Sequence, residues 1–259
     1  CQVFATSCGG LMHGLEQNPV QIRFRNGYFK PGIKTIQERV ANMTKYPLLA
    51  QPGTEWNYSA GPDVLCVLIE KFSGMSVNEF LKSRLFEPLE MKHTGYNVPK
   101  EEQSKIVALH TKGKNGAISV AANQPPYENV TVWSGVNGLF STAADYATFC
   151  QMMLAGGTYK GKQYLSRKTV ELMTSNHTGN LYPELPGTGW GLGFAVVTDG
   201  PATKTPASKG LFFWGGANNT HFFIDPKEKL IGLFMTQESN FTWEYHNSLR
   251  QMVYQTVAD

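Results

Sequence analysis

The most informative stretch of this 259-residue chain reads Pro52-Gly53-Thr54-Glu55-Trp56-Asn57-Tyr58-Ser59-Ala60. It opens with a turn signal, continues with two aromatic residues, and leads into the segment from Val64 to Phe72, which is apolar nearly all round. That composition predicts a buried helix, and we expect it to stop at Ser73-Gly74. On physical grounds alone, one tyrosine among eleven is more typical of a core than of a catalytic site.

Three further helices are predicted downstream of this stretch. Ser76-Val77-Asn78-Glu79 is a capping box, in which the Ser and Glu side chains each satisfy a free backbone N–H at a helix start. Thr142 can cap a helix that ends at Gly156-Gly157. The segment from Trp243 to Val257 is predicted to be a terminal helix, with Met252 and its apolar neighbours on one side.

Two regions are expected to be irregular. The first fifty residues combine Gly9-Gly10, Pro19 and Pro31-Gly32 with short apolar clusters, which predicts loops with little regular structure. Residues 95–135 have weak periodicity, and we expect them to follow an irregular path over the surface.

Short strand-like runs follow from residue 191 onward. They are Gly191–Val197, Leu211–Trp214, Thr220–Ile224 and Leu230–Met235. The segment Asp225-Pro226-Lys227-Glu228-Lys229 predicts a turn that joins the last two as an antiparallel hairpin. Helices followed by strands and a closing helix indicate an α+β chain with an antiparallel sheet. We divide it into a mostly helical and loop part, 1–185, and a part with the strands and the C-terminal helix, 186–259, of the same domain.

Composition excludes several classes of function. The hydrophobic content of 41% is enough for a sizeable core, and a formal charge of +3 gives no reason to expect nucleic-acid binding. The longest apolar runs fall far short of the roughly 20 residues that cross a bilayer. Four scattered cysteines without CxxC spacing indicate neither a zinc site nor a disulfide framework. We therefore expect no metal, no cofactor and no membrane span, and the compartment stays open between cytoplasmic and periplasmic or secreted.

Common catalytic signatures are mostly missing. The chain has no G-x-S-x-G elbow, H-E-x-x-H, P-loop or G-x-G-x-x-G, and its six histidines share no ligand spacing. Taken singly, each histidine is more typical of a surface or hydrogen-bonded residue than of a catalyst. The run Phe212-Phe213-Trp214-Gly215-Gly216-Ala217 allows two interpretations. It is either a central strand that ends at a glycine bend, or a strand edge without side chains against which a substrate can lie.

Five motifs in order resemble one family. They are Leu48–Ser59, Phe86–Tyr96 (similar to PLGM-x-x-T-x-F), Gly138–Tyr146 (similar to GL-x-STA-x-D-x), Gly189–Phe194, and Trp214-Gly215-Gly216 with Phe223–Pro226 behind it. The resemblance is to the serine β-lactamase-like hydrolases, which include class C β-lactamases, penicillin-binding proteins and, most similar here, family VIII carboxylesterases. It implies a β-lactamase/transpeptidase-like fold, with an antiparallel sheet flanked by helices and a helical subdomain.

The resembled family carries its nucleophile in an S-x-x-K motif, where one helical turn places the two side chains on the same face. No Ser of this chain has Lys three positions later; Ser166, with Lys168 two positions later, comes closest. The segment from Val3 to Leu11 is similar to the segment that follows the motif in the family. We therefore expect the chain to begin just after the nucleophile helix, without the first strands. Another chain or a missing segment would carry S-x-x-K, or the protein is a truncated or inactive homologue.

The resemblance also implies roles for residues that are present. Tyr58 would be the general base or its relay, which needs nearby cations because a free tyrosine has a pKa of about 10. Trp214-Gly215-Gly216 would take the place of the Lys-Thr-Gly of β-lactamases, with the Ala217 N–H in the oxyanion hole. Ala60 replaces the Asn of a Y-x-N motif, which removes a polar contact to a substrate amide. Trp214 in place of Lys removes a partner for a β-lactam carboxylate and favours neutral esters.

Two classes of function remain open at this stage. The first is a carboxylesterase that forms an acyl-enzyme on a small ester, with β-lactamase or D-aminopeptidase activity as a variant. The second is a catalytically inactive binding module that keeps the cleft. Retention of both Tyr58 and the Trp214–Gly216 strand favours the hydrolase, whereas the 259 residues alone are expected not to hydrolyse esters.

Overall fold

The computed structural model describes residues 1–257, which form two compact units. The first unit comprises Cys1–Val98, Pro126–Phe140 and Asn180–Tyr182. The second comprises Pro99–Pro125, Ser141–Gly179 and the chain from Pro183 onward. The expected division at residues 185 and 186 separates helical from strand-bearing sequence, and it stays a prediction.

The first unit is helical. Its elements are α1 (Gln2–Ala5), α2 (Pro19–Tyr28), α3 (Ile36–Met43), α4 (Gly61–Ser73), α5 (Val77–Leu81) and a π-helical turn (Lys82–Phe86). The expectation of loops over the first fifty residues is wrong, since α1, α2 and α3 all lie there. The start signals of α2 and α3 are local: Asn18 accepts a hydrogen bond from the N–H of Gln21 ahead of Pro19, and Thr35 forms a capping box with Glu38. These capping hydrogen bonds stabilise helices in a region where the glycines and prolines had predicted loops.

Helix α4 begins right after the tyrosine stretch and ends where the sequence predicts. Gly74 follows it in the left-handed conformation, with φ of 69°, and caps its C-terminus. The expectation that it is buried all round is wrong: Phe72 is 81% exposed, whereas Asp63 in the first turn is 0% exposed. The capping box at Ser76 is confirmed at the start of α5.

The buried Asp63 carboxylate is bound from several elements. Its Oδ1 accepts hydrogen bonds from the Ser134 hydroxyl at 2.8 Å and the Gly135 N–H at 2.7 Å. Its Oδ2 accepts a hydrogen bond from the Tyr28 hydroxyl of α2 and lies 3.8 Å from Nη1 of Arg39 in α3. A single side chain therefore joins α4 to α2, α3 and the segment around residue 134.

The second unit is built on a five-stranded antiparallel sheet. The strands are β5 (Thr188–Trp190), β6 (Ala195–Val197), β7 (Phe212–Gly216), β8 (Thr220–Asp225) and β9 (Leu230–Phe234), and each pairs with the next in chain order. They follow two short hairpins: β1 (His110–Lys112) with β2 (Ile118–Val120), and β3 (Thr158–Tyr159) with β4 (Lys162–Gln163). The antiparallel sheet and the β8–β9 hairpin are thus confirmed. The segment Gly191–Val197 is not one strand, because Gly191 donates its N–H to the Phe194 carbonyl in a turn between β5 and β6.

Helices cover both faces of this sheet. They are α6 (Ala143–Leu154) and α8 (Trp243–Tyr254), while α7 (Arg167–Met173) and two 3-10 turns (Lys100–Lys105 and Pro201–Thr203) complete the unit. Tyr146 of α6 contacts Phe222 with ring centroids 5.2 Å apart, and Tyr254 of α8 stacks on Phe223 at 5.7 Å. Because neighbouring strand residues point to opposite faces, α6 and α8 lie on opposite sides of β8.

The buried side of α8 differs from the predicted one. Met252 is 69% exposed, whereas His246 and Arg250 are buried. These two residues lie four apart on one helix face and contact the Phe213 ring, with the Arg250 guanidinium carbon 4.0 Å from its centroid. The side of α8 that packs against the sheet is therefore the one whose residues contact an aromatic ring, and it is not the most hydrophobic side of the helix. No helix within residues 1–257 combines the length and the apolar character that crossing a bilayer requires.

We expect Asp63→Ala to lower the free energy of unfolding by about 3–5 kcal/mol, because it leaves buried polar partners and the Arg39 guanidinium unpaired. Urea unfolding followed by circular dichroism measures the change. Glu171→Gln is the control, since Glu171 pairs with Arg167 and Lys168 on the exposed face of α7 and should change stability little. A loss below about 1 kcal/mol for Asp63→Ala would contradict the structural role.

Candidate active site

Tyr58 lies in the first unit, three residues before α4 begins. It is partly buried, and its ring lies 6.2 Å from that of Trp56. Trp56 in turn meets Tyr182 edge to face at 4.7 Å. The aromatic pair that stood out in the sequence is therefore part of a small aromatic group with Tyr182, a contact that the sequence did not predict.

The N-terminal segment runs alongside the tyrosine stretch and fixes its backbone. The N–H groups of Gly53, Asn57 and Ala60 donate to the carbonyls of Cys8, Ser7 and Met12 at 2.8, 3.0 and 3.1 Å. At the helix start, a Cβ on Gly61 would lie 2.5 Å from the Phe4 carbonyl oxygen, so only glycine permits this approach of α1. Residues 3–11 are similar to the segment that follows the nucleophile helix in the family. Here this N-terminal region holds the backbone of the tyrosine stretch in place through hydrogen bonds.

His13 comes next to Tyr58 through this pairing. The two ring centroids are 5.2 Å apart and the ring planes are inclined at 33°. Burial lowers the pKa of His13, against the raising effect of the Asp63 charge. Nδ1 of His13 is buried without a hydrogen-bond partner among residues 1–257. The sequence predicted a surface or hydrogen-bonded histidine at this position, and the contact with Tyr58 depends on the pairing of two distant segments.

Ala60, which replaces the Asn of the family motif, is fully buried. It packs with Met12, Phe24, Tyr28 and Met43 in a hydrophobic cluster. An amide at this position would enter the core of the unit, where it would cost free energy unless hydrogen-bonded.

The other predicted site residues lie in the second unit, at the end of β7. β8 pairs along all of β7, as far as Gly216 opposite Thr220, whereas the pairing with β6 covers only Phe212 and Phe213. Gly215 and Gly216 therefore lie beyond the registered pairing with β6, and neither has a side chain. β7 is the third of the five strands, both glycines are half-buried, and Ala217 follows them as an exposed residue. Within residues 1–257, this glycine end of a central strand is paired in register only with β8.

Aromatic side chains surround Trp214, which precedes this glycine end. The Trp214 ring meets Trp190 edge to face at 4.5 Å and Trp243 at 5.3 Å. Aromatic rings thus flank Trp214, and its correspondence to the lysine of β-lactamases stays a prediction.

A second histidine that the sequence did not single out, His221, lies in the neighbouring strand β8. His221 pairs with Gly215 across the strands, and a Cβ on Gly215 would approach its Nδ1 to 2.8 Å. Burial lowers the pKa of His221 to about 4. Burial, followed by the charge of the neighbouring Arg250 guanidinium, lowers the pKa of His246 to about 2. Both imidazoles are therefore neutral near pH 7.

The predicted site residues are thus divided between the two units. Trp214, Gly215, Gly216 and Ala217 are consecutive in the second, and Tyr58 is in the first. Their catalytic roles stay predictions.

Comparison with known proteins identifies the family. A family model described as beta-lactamase matches residues 12–253. The chain belongs to the beta-lactamase family. Protein Rv1367c of Mycobacterium tuberculosis (strain ATCC 25618 / H37Rv) is 31% identical over 247 residues, which cover 90% of this chain and 60% of that protein. Esterase EstB of Burkholderia gladioli is 24% identical over 228 residues, which cover 81% of this chain and 55% of that protein.

This beta-lactamase-family chain therefore spans less than two thirds of the curated relatives it matches. Among solved structures, EstCE1, described as a hydrolase with promiscuous acyltransferase activity, matches with a TM-score of 0.81 at 21% identity, covering 97% of this chain and 71% of that chain. The predicted β-lactamase/transpeptidase-like fold is thereby confirmed.

The two buried histidines predict how the stability of this beta-lactamase-family chain depends on pH. Between pH 6.5, an ordinary histidine pKa, and the folded-state value of about 4 for His221, the unfolded chain binds more protons than the folded chain. The free energy of unfolding should therefore be highest above pH 6.5 and fall as the pH drops, by on the order of 1 kcal/mol per pH unit from this residue.

Urea unfolding at a series of pH values measures this slope in the wild type and in His221→Phe. The variant should lose part of the slope, whereas His93→Ala, at an exposed histidine, should keep it. Identical slopes in the wild type and His221→Phe would show that His221 does not cause the effect.

Proposed function

We propose that this chain is part of a serine carboxylesterase that forms an acyl-enzyme on neutral ester substrates. The observation that carries the proposal is the end of β7, where Gly215 and Gly216 extend beyond the registered pairing with β6. A planar acyl group can lie against this backbone on the side away from β8, because the Cβ positions of both glycines are directed toward His221 and Thr220 of β8. Similarity to esterase EstB supports the same reaction class.

In the proposed reaction, a serine outside residues 1–259 attacks the ester carbonyl carbon. Tyr58, as phenolate, accepts the serine proton while the C–O bond forms, and then passes that proton to the leaving alkoxide as the tetrahedral intermediate collapses. An alcohol leaves and the acyl group stays on the serine. Water then repeats the sequence and releases a carboxylic acid.

The second unit would stabilise the charge that develops on the carbonyl oxygen. A backbone N–H following a strand end is a suitable donor, and Ala217 occupies that position after Gly216. The wall formed by Trp214 and Trp190 is apolar, with no cation at position 214 to pair with a carboxylate. The proposed substrates are therefore neutral esters rather than anionic β-lactams.

Two alternatives remain as outcomes of the same test. A catalytically inactive binding module would keep the fold without turnover, and β-lactamase or D-aminopeptidase activity would use the same nucleophile on amides. The burial of Ala60, which leaves no amide side chain at that position for substrate, favours ester chemistry over both amide reactions.

Intact-mass analysis before and after a fluorophosphonate probe tests the proposal, with each polypeptide of the purified protein measured separately. We expect the label on a serine outside these residues. Tyr58→Phe should slow acylation by p-nitrophenyl butyrate at least about 10²-fold, because the proton acceptor is lost. Tyr159→Phe, in the β3–β4 hairpin, is the matched control. Folded protein that takes up no label would favour the binding module.

Ala217→Pro tests the second unit independently. Proline has no N–H, so acylation should fall about 10²- to 10³-fold, as for loss of one oxyanion donor. Ala217→Gly keeps the N–H and should retain most of the rate. If both variants behave alike while their thermal unfolding midpoints match the wild type, Ala217 is not a donor to the oxyanion.

A further inference from the structure

His13 contacts Tyr58 in the first unit and has no part in the proposed reaction. The two ring centroids are 5.2 Å apart and the ring planes are inclined at 33°, a tilted arrangement. Aromatic rings at this separation attract one another beyond the effect of the area that they bury. Such a contact favours one orientation of a partly buried tyrosine side chain.

The backbone on both sides of His13 is fixed. On one side, the Met12 carbonyl accepts the N–H of Ala60, two residues after Tyr58. On the other side, the Gly14 N–H donates to Oε1 of Gln21 at 2.7 Å and its carbonyl accepts from Arg25 at 3.2 Å. Gly14 has a φ of +85°, and a Cβ there would come within 2.8 Å of the Arg25 Cβ. His13 is therefore held in place by α2 and by the tyrosine stretch itself.

The contact joins two rings. Burial lowers the pKa of His13, against the raising effect of the Asp63 charge, which disfavours an imidazolium that could replace the lysine cation of the resembled motif. The buried Nδ1 has no hydrogen-bond partner among residues 1–257. The contact of His13 with Tyr58 that the structure shows is therefore the one between the aromatic rings.

We propose that His13 is a positioning residue for Tyr58, whose ring it packs against so that the phenol oxygen is directed toward the reacting serine. The inference rests on the proposed esterase function, because it concerns the orientation of the proton acceptor. It differs from a merely structural role in one respect: His13 acts only through the hydroxyl of Tyr58.

The test is a double-mutant cycle on the intact purified protein, including whichever polypeptide carries the labelled serine. The variants are His13→Ala, Tyr58→Phe and the combination, and the readouts are the acylation rate and KM with p-nitrophenyl butyrate. We expect His13→Ala to slow acylation about 10- to 100-fold, as for a misplaced catalytic group, with KM within about threefold. In the Tyr58→Phe background the same change should alter the rate less than about twofold.

Conservative variants separate the ring from its nitrogen. His13→Phe keeps an aromatic surface and should restore acylation to within about threefold of the wild type, whereas His13→Leu fills similar space without a ring and should not. If His13→Ala fails to fold, as judged by circular dichroism, His13→Leu takes its place in the cycle. His93→Ala, at an exposed histidine of the same unit, is the control.

The outcomes are distinguishable. Equal rate losses from His13→Ala in the wild-type and Tyr58→Phe backgrounds, or no loss in the wild type, would overturn the positioning role while leaving the esterase intact. Loss of rate in His13→Phe equal to that in His13→Leu would overturn the aromatic contact as its cause. Absence of acylation in the wild type, or a Tyr58→Phe variant with full activity, would instead overturn the proposed function, and the role of His13 with it.

Discussion

A buried carboxylate, that of Asp63, holds the first unit together. It has no exposed surface, and its two oxygens bind the hydroxyls of Tyr28 and Ser134, the Gly135 N–H and the Arg39 guanidinium. A charge in this position is tolerable only because each partner is in place, so the helices and the segment around residue 134 are stabilised jointly. Since Asp63 lies in the first turn of α4, the network also fixes the helix start that follows Tyr58.

A second buried carboxylate has the same role in the other unit. Asp225 accepts N–H groups of Ser208, Lys227 and Glu228 and the hydroxyl of Tyr254, so it closes the β8–β9 turn and attaches α8 to the sheet. Where α8 packs on the sheet, the contacts are between aromatic rings and neutral histidines. The glycines of β7 fit this arrangement, because the space beside Gly215 is occupied by His221.

The Tyr58 environment shows how a site residue depends on neighbours that carry no catalytic signature. Three backbone hydrogen bonds bring the N-terminal segment beside residues 53–60, and this pairing places His13 against the tyrosine ring. The substitution of Ala at position 60 is compatible with the same packing, because that position faces Met12 and Tyr28 in the core. The properties of the site thus follow from packing in its own unit.

Features that are encoded locally could be predicted from the sequence: the α4 end at Gly74, the capping box at Ser76, the Asp225 turn, the antiparallel strands and the family motifs. Signals of this kind act over a few residues, so they can be seen without the fold. The caps at Asn18 and Thr35 are local as well, but the glycines and prolines of the first fifty residues predicted loops there. The buried side of α8, the burial of Asp63 with Phe72 exposed, and the contact of His13 with Tyr58 could be found from the three-dimensional structure alone. These depend on contacts between segments far apart in the chain, and periodicity in one segment carries no information about the partner that will cover it.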